Sequence, residues 1–310
     1  MPGAVAALAL TAVLGCAVGC AGRSLAGESG LQPPEIAPPA LIARGAPSGA
    51  GHVAVAIASG EGRPMRWTRA GAWRRESVRG IAARVQVTRP VVAGDEHSLV
   101  EVEAQLGPRA ARHAVELGIR TSPVEYRDGE PHLFVFAWVA GRRTCYDGCG
   151  WRGAGASVRP GEALGGRIGT EVTLGLVLHQ GAWWAWMDSE WLGAFPLDVW
   201  EGAFSEAEGL QWFGEVYAPG GQPRSEMGNG LGATSPGAAT IRGLCHVPWD
   251  RWTCVEEERV ELLADAPSRY SAALWPDGTL SYGGPGDPPA LTPRPPPSSA
   301  SGGTPSARGR

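Results

Sequence analysis

No lysine occurs anywhere in the 310-residue chain, so all 27 of its permanently basic side chains are arginines. Against 31 Asp and Glu they leave a formal net charge of −4. A nucleic-acid binder usually carries a basic stripe, so this balance argues against one. The absence of lysine itself fits a GC-rich genome better than any functional demand. Helical periodicity is also scarce: "PRAARHAVE" (108–116) and "PLDVWEGAF" (196–204) are the best stretches, and neither is persuasive. Several catalytic signatures are missing. There is no GxSxG for a serine hydrolase, since Ser189 sits in "MDSEW" and Ser225 in "PRSEM". No GK[ST] follows the glycine-rich "GAPSGAG", which excludes a phosphate-cradling loop. The six histidines show neither HxxxH nor HxH spacing, and no second CxxC-type pair accompanies Cys145 and Cys149, so neither a metal nor a cofactor is expected.

What is present points to a β protein. With 43% hydrophobic and 19% charged residues the chain can bury a large core, and its 46 Gly and 27 Pro suit many turns. Short apolar runs recur between turn residues: 52–58, 81–88, 98–106, 114–121, 132–139, 171–179, 182–187, 211–217 and 279–284 all read as strands. The expectation is an all-β, antiparallel sandwich, jelly-roll or concanavalin-like, in one domain over 51–286. Residues 21–50 and the tail 287–310, rich in Ala, Gly, Pro and Ser, read as a tether and a disordered tail.

The start, "MPGAVAALALTAVLGCAVGCAG", reads as a signal peptide over 1–20, although no basic residue precedes its apolar run. "VLGC" (Cys16) and "AVGC" (Cys20) resemble the bacterial lipoprotein cleavage box, which makes both candidates for lipidation. Export to the cell envelope or medium is expected, with membrane contact only through a lipid anchor. Four cysteines remain for an oxidising compartment: Cys145, Cys149, Cys245 and Cys254. They allow three pairings, of which the local one, Cys145–Cys149 and Cys245–Cys254, is the simplest.

By elimination, carboxylates are the chemistry left. In "AVELGIR", Val115, Leu117 and Ile119 alternate onto one face and Glu116 points from the other. In "LQWFGEVY", Gln211, Phe213, Glu215 and Tyr217 share the face opposite Trp212, Gly214 and Val216. Amide, ring, carboxylate and phenol together suit a cleft floor, although an isolated strand glutamate is most often a surface residue.

Six blocks extend this reading. "VELGIRTSPVEYRD", "HLFVFAW" with "TCYDGCGW", "QGAWWAWMDSEWLGAFPLDVW", "QWFGEV", "EMGNG" and "SYGGPG" occur in order across some 200 residues. They resemble blocks of the neprosin domain, a glutamic prolyl-endopeptidase family best known from plants. The resemblance implies a sandwich of two curved antiparallel sheets with the active site in a concave groove. It implies catalytic glutamates at Glu116 and Glu215 and supports both local disulfides. It further implies a peptide or protein substrate, proline-rich in character, for a monomeric enzyme. Three positions depart from the family pattern: Ile119 stands where Trp is usual, and Glu101 and Glu103 where Gln and Trp are.

Two carboxyls in one groove would split acid and base roles and give an acidic optimum, with the assignment of roles open. Glu101, Gln211 and Tyr217 are candidates for polarising the substrate carbonyl. Phe213, Tyr217, Trp183 and Trp184 are candidates for a flat slot. Two rivals remain: a catalytically silent relative that binds peptide in the same groove, and a carbohydrate-binding sandwich with exposed, coplanar Trp platforms.

Overall fold

The computed structural model describes residues 31–42, 54–55 and 67–285. The chain divides into a unit Met1–Gln32, of which only residues 31–32 are described, and a unit Pro33–Arg310 that holds every element below. The leader with Cys16 and Cys20, most of the 52–58 run and the tail from 286 lie outside the described residues. Among the described residues no helix is long and apolar enough to cross a membrane.

Eighteen strands are described, in this order. They are β1 (Ala40–Ile42), β2 (Ala54–Val55), β3 (Trp67–Val78), β4 (Gly80–Gln86), β5 (His97–Leu106) and β6 (His113–Thr121). Next come β7 (His132–Val139), β8 (Arg142–Arg143), β9 (Arg152–Gly153), β10 (Glu171–His179), β11 (Ala182–Met187) and β12 (Glu190–Pro196). The last are β13 (Ala207–Tyr217), β14 (Ala239–Val247), β15 (Thr253–Glu256), β16 (Glu261–Ala264), β17 (Ser271–Leu274) and β18 (Leu280–Gly283). The two weakly helical stretches shrink to single turns, Arg109–Ala111 and Leu197–Trp200.

Two sheets form the sandwich. One runs β2-β17-β18-β14-β4-β10-β11-β12-β9, with β15 and β1 on a side branch from β14. The other runs β16-β3-β13-β5-β6-β7-β8. Strict alternation decides which side chains meet between them. Val100, Val102, Val115, Leu117, Ile119, Trp212 and Val216 of the seven-stranded sheet pack against Ile81, Val85, Leu174, Leu176 and Ile241 of the other. Full burial of such a side chain contributes about 1.5–3 kcal/mol. Trp212 also crosses the sandwich, its Nε1 donating to Ala82 O at 3.0 Å. Gly214 on the same face gives way to the Tyr282 ring, which a Cβ there would meet at 2.5 Å.

Both local disulfides are present, Cys145–Cys149 and Cys245–Cys254. The second joins β14 to β15.

The expected tether needs correction over residues 33–42. Pro34 and Pro39 are buried, and β1 pairs in parallel with β15, Leu41 opposite Cys254. Two indoles fix the approach: Trp191 Nε1 donates to Ile36 O at 3.0 Å and Trp252 Nε1 to Ala37 O at 2.9 Å. Proline suits this segment because its buried nitrogens need no hydrogen-bond partner.

Candidate active site

The face of the seven-stranded sheet turned away from the core carries the polar half of each alternation. Register fixes which groups become neighbours. One cross-strand row is Gln211 (β13), Glu103 (β5), Glu116 (β6) and Phe136 (β7). The next on this face is Phe213, Glu101, Gly118 and Phe134, and the one after it begins with Arg69 (β3) and Glu215 (β13). Gly118 is required by this arrangement. A Cβ there would lie 2.4 Å from Val100 O, 2.5 Å from the Phe134 ring and 2.7 Å from the Glu101 Cβ.

The sheet curls around this face. Strands β8 and β3 are five spacings apart, roughly 24 Å in a flat sheet at about 4.8 Å per strand. Yet the Arg143 guanidinium of β8 lies 5.6 Å from the Trp67 ring of β3. The resulting groove encloses about 340 Å³ and is lined by Glu101, Glu103, Glu116 and Glu215 together with Arg69, Arg109, Arg112 and Arg143. The two glutamates expected as catalytic therefore open into the same groove, from strands β6 and β13 on either side of β5.

Their surroundings differ. Glu116 is 6% exposed; its Oε1 accepts from Trp138 Nε1 at 2.5 Å and lies 3.7 Å from Arg112 Nη2. Burial, and then Glu103 beside it, hold its carboxyl well above the usual carboxylate range. Glu103 is bound to Arg112 at 3.2 Å and accepts from Gln211 Nε2 at 2.7 Å. Glu101 lies on the central strand, 2% exposed, with Oε2 lacking a hydrogen-bond partner. Burial followed by Glu116 and Glu215 keeps it, too, well above the ordinary range.

Glu215 is partly exposed. Burial pushes it up to about 7, while Arg69 and Arg112 pull in the opposite direction. Arg69 stands directly opposite and is anchored by Asp265, with its Nε donating to Oδ2 at 3.0 Å. The groove thus contains one carboxyl pushed up to about 7 and two others held well above the usual carboxylate range.

Of the other expected groups, Phe213 lines the groove. Gln211 lies on the same face, but both ends of its amide are engaged. Its Oε1 accepts from Arg69 Nη1 at 3.2 Å while Nε2 serves Glu103, so it is not a free donor for a substrate carbonyl. Tyr217 sits further along β13, stacked on His97 at 5.0 Å and tilted against Trp67 at 5.2 Å, and does not line the groove. Trp183 and Trp184 belong to the other sheet. Trp183 is fully buried, with Nε1 donating to Phe204 O at 2.9 Å, and Trp184 meets Trp191 edge-on, so neither forms a slot here. Ile119 faces the core, which makes that departure a packing change remote from the chemistry.

Sequence reasoning missed Arg69, Arg112 and Trp138, which hold or face the glutamates. The paired aromatic and basic residues of "RWTRAGAW" and "FAWVAGRR" are visible, but only register brings them to the groove.

Among the described residues two clusters have the spacing that could hold a metal ion. Oxygens of Glu101, Glu103 and Glu116 lie within 4.8 Å of one another, and so do ligand atoms of Glu76, His246 and Glu257. Each cluster is already served by an arginine, Arg112 and Arg74 respectively, so an internal cation balances the charge.

A family model described as Neprosin matches residues 94–285. Among solved structures, scytalido-glutamic peptidase with a transition state analog inhibitor is similar with a TM-score of 0.42 and 10% identity, over 69% of this chain and 97% of that one. SCP-B, a member of the Eqolisin family of peptidases in complex with the tripeptide Ala-Ile-His, is similar with a TM-score of 0.40 and 10% identity, over 69% and 96%.

Proposed function

The chain belongs to the Neprosin family, and from that premise we propose that it is a glutamic endopeptidase hydrolysing peptide bonds with Glu215 as general base and Glu116 as general acid. The observation that carries this is the unequal pair of carboxyls opening into one groove. Glu215, partly exposed and opposite Arg69, takes a proton from water as the water oxygen attacks the scissile carbonyl carbon. Glu116, still protonated, hydrogen-bonds the developing oxyanion and then transfers its proton to the leaving amine, and the proton held by Glu215 returns to Glu116 as the products leave. Burial and the neighbouring Glu103 keep that proton from being shed before substrate arrives, against the opposite pull of Arg112. Glu101, neutral and with a free oxygen, is a second donor to the carbonyl, in place of the amide the family resemblance would put there.

Cleavage after proline is the specificity that the family resemblance suggests. The rest of the reading concerns location: an exported protein, lipid-anchored through Cys16 or Cys20 or secreted, acting on peptides outside the cytoplasm. The carbohydrate-binding rival gains nothing from Trp183, Trp186, Trp200 and Trp212, which are fully buried.

The test is cleavage of a proline-containing peptide by the purified protein and its Glu116→Gln and Glu215→Gln variants. Each substitution is expected to lower kcat by roughly 10²–10⁴-fold. Full activity in either variant removes that residue from the mechanism. No cleavage by the unsubstituted protein, with peptide still bound in the groove, leaves the silent relative as the reading.

A further inference from the structure

Four arginines line the groove, and two of them have carboxylate partners: Arg69 with Asp265, and Arg112 with Glu103 and Glu116. Arg109 and Arg143 have none among the described residues, and both are exposed. They reach the groove from two turns locked together. Gly141 N donates to Arg112 O at 2.8 Å, and a Cβ on Gly141 would strike Ala110 O at 2.2 Å, so the turn at 109–111 sits against the turn at 140–141. Arg143 is held in place without being neutralised. Its guanidinium lies 5.6 Å from the Trp67 ring, 5.7 Å from Tyr217 and 5.9 Å from Phe136. Aromatic faces attract a cation but offer no acceptor for its N–H groups in the plane of the fork. The guanidinium fork is therefore ordered, open and shaped for a carboxylate.

We infer that Arg143, with Arg109 beside it, forms a subsite for a substrate carboxylate, so that the groove selects peptides carrying one close to the bond placed over Glu116 and Glu215. For its substrate class this rests on the peptidase reading above. The carboxylate has two sources, an Asp or Glu side chain or the free C-terminus of a short peptide, and both present the same two oxygens to the fork.

Four matched fluorogenic peptides separate them: Glu or Gln beside the scissile bond, each with a C-terminal acid or amide. A side-chain source predicts kcat/KM about tenfold or more higher for Glu than Gln with both termini amidated. A terminal source predicts the same ratio for acid over amide, whatever the side chain. In Arg143→Gln the ratio falls towards one, and in Arg143→Lys, which keeps the charge but loses the fork, it is intermediate. Raising the salt concentration shrinks the ratio in the unsubstituted protein. Equal kcat/KM on all four peptides overturns the subsite, as does an unchanged ratio in Arg143→Gln.

Binding of the same peptides, labelled, to Glu215→Gln is read by fluorescence anisotropy. If the unsubstituted protein cleaves none of them but the carboxylate peptides bind about tenfold tighter through Arg143, the subsite stands and the catalytic reading falls. If all bind alike, the subsite falls whatever the catalysis. Circular dichroism and thermal melting of both Arg143 variants separate lost recognition from lost folding.

Discussion

Glu103 and Glu116 stand directly opposite each other on β5 and β6, and the neighbouring Glu103 helps burial hold the Glu116 carboxyl above the usual carboxylate range. Arg112 reaches both, 3.2 Å from Glu103 Oε2 and 3.7 Å from Glu116 Oε1. Glu215 stands opposite Arg69 instead, so the two family glutamates, equivalent in the sequence, differ in what opposes them.

The first consequence is a pH–rate profile displaced from the acidic one expected of a simple carboxyl pair. Activity needs Glu215 ionised and Glu116 protonated, so kcat/KM should climb with pH towards about 7 and decline as Glu116 ionises. Replacing Glu103 by Gln removes a charge that raises both groups, so both limbs should move to lower pH, by about one unit. A profile already falling between pH 4 and 6 would contradict the assignment of base and acid.

Glu101 separates a hydrogen-bond donor from a charge. Glu101→Gln retains a donor and should keep activity within about tenfold, whereas Glu101→Ala should lower kcat by about 10²-fold. Steady-state kinetics on one peptide decides it, provided KM moves little. Equal losses in the two variants would mean that the acid itself, rather than a donor, is needed.

The buried carboxyls also set how stability follows pH. Glu215 is raised from 4.5 to about 7, and Glu101 and Glu116 are raised well above 4.5. Above pH 4.5 the folded state therefore holds more protons than the unfolded one, and stability falls as pH rises. His97 acts oppositely. Burial lowers it from 6.5 to about 3, with Arg120 and Arg143 adding to the effect, so its contribution to stability grows with pH up to 6.5. Three groups outweigh one, and Tm should decline between pH 5 and 7, more steeply once pH passes 6.5 and His97 no longer offsets the loss. Calorimetry across that range checks the sign, and Glu101→Gln should flatten the slope.

Gly118 offers a packing test beside the site. A Cβ would press on the Val100 carbonyl, the Phe134 ring and Glu101 at 2.4–2.7 Å. Gly118→Ala should cost about 2–3 kcal/mol in urea unfolding and lower activity with it. An unchanged midpoint would show that β5 and β7 give way more easily than the register suggests.

Much of this was legible in the sequence. Strands 132–139, 171–179 and 182–187 were read at their observed bounds because their apolar runs are unbroken and end at turn residues. β3 was missed because "WTRAGAWRRESV" mixes charge with small residues, and it becomes a strand only by lying beside β13 and β16. β14 was missed because its register shifts between Arg242 and Cys245, which breaks the alternation. Proline content misdirected the reading of 33–42, where burial and two indole donors override composition. Glu116 and Glu215 stood out as odd residues in apolar strands. The counter-charge of Glu215 did not, since its cross-strand partner Arg69 lies far away in the chain and leaves no local trace.

Residues of β13 alternate between two duties, Trp212, Gly214 and Val216 to the core and Gln211, Phe213 and Glu215 to the groove. A strand built this way insulates durability from selectivity. A groove residue with no step in the chemistry, such as Phe213, is open to exchange on an unaltered core, so relatives that share this core can diverge in what they recognise without refolding. Conversely, a screen for tougher variants should concentrate on the inward set, where gains in endurance leave the peptide preference untouched.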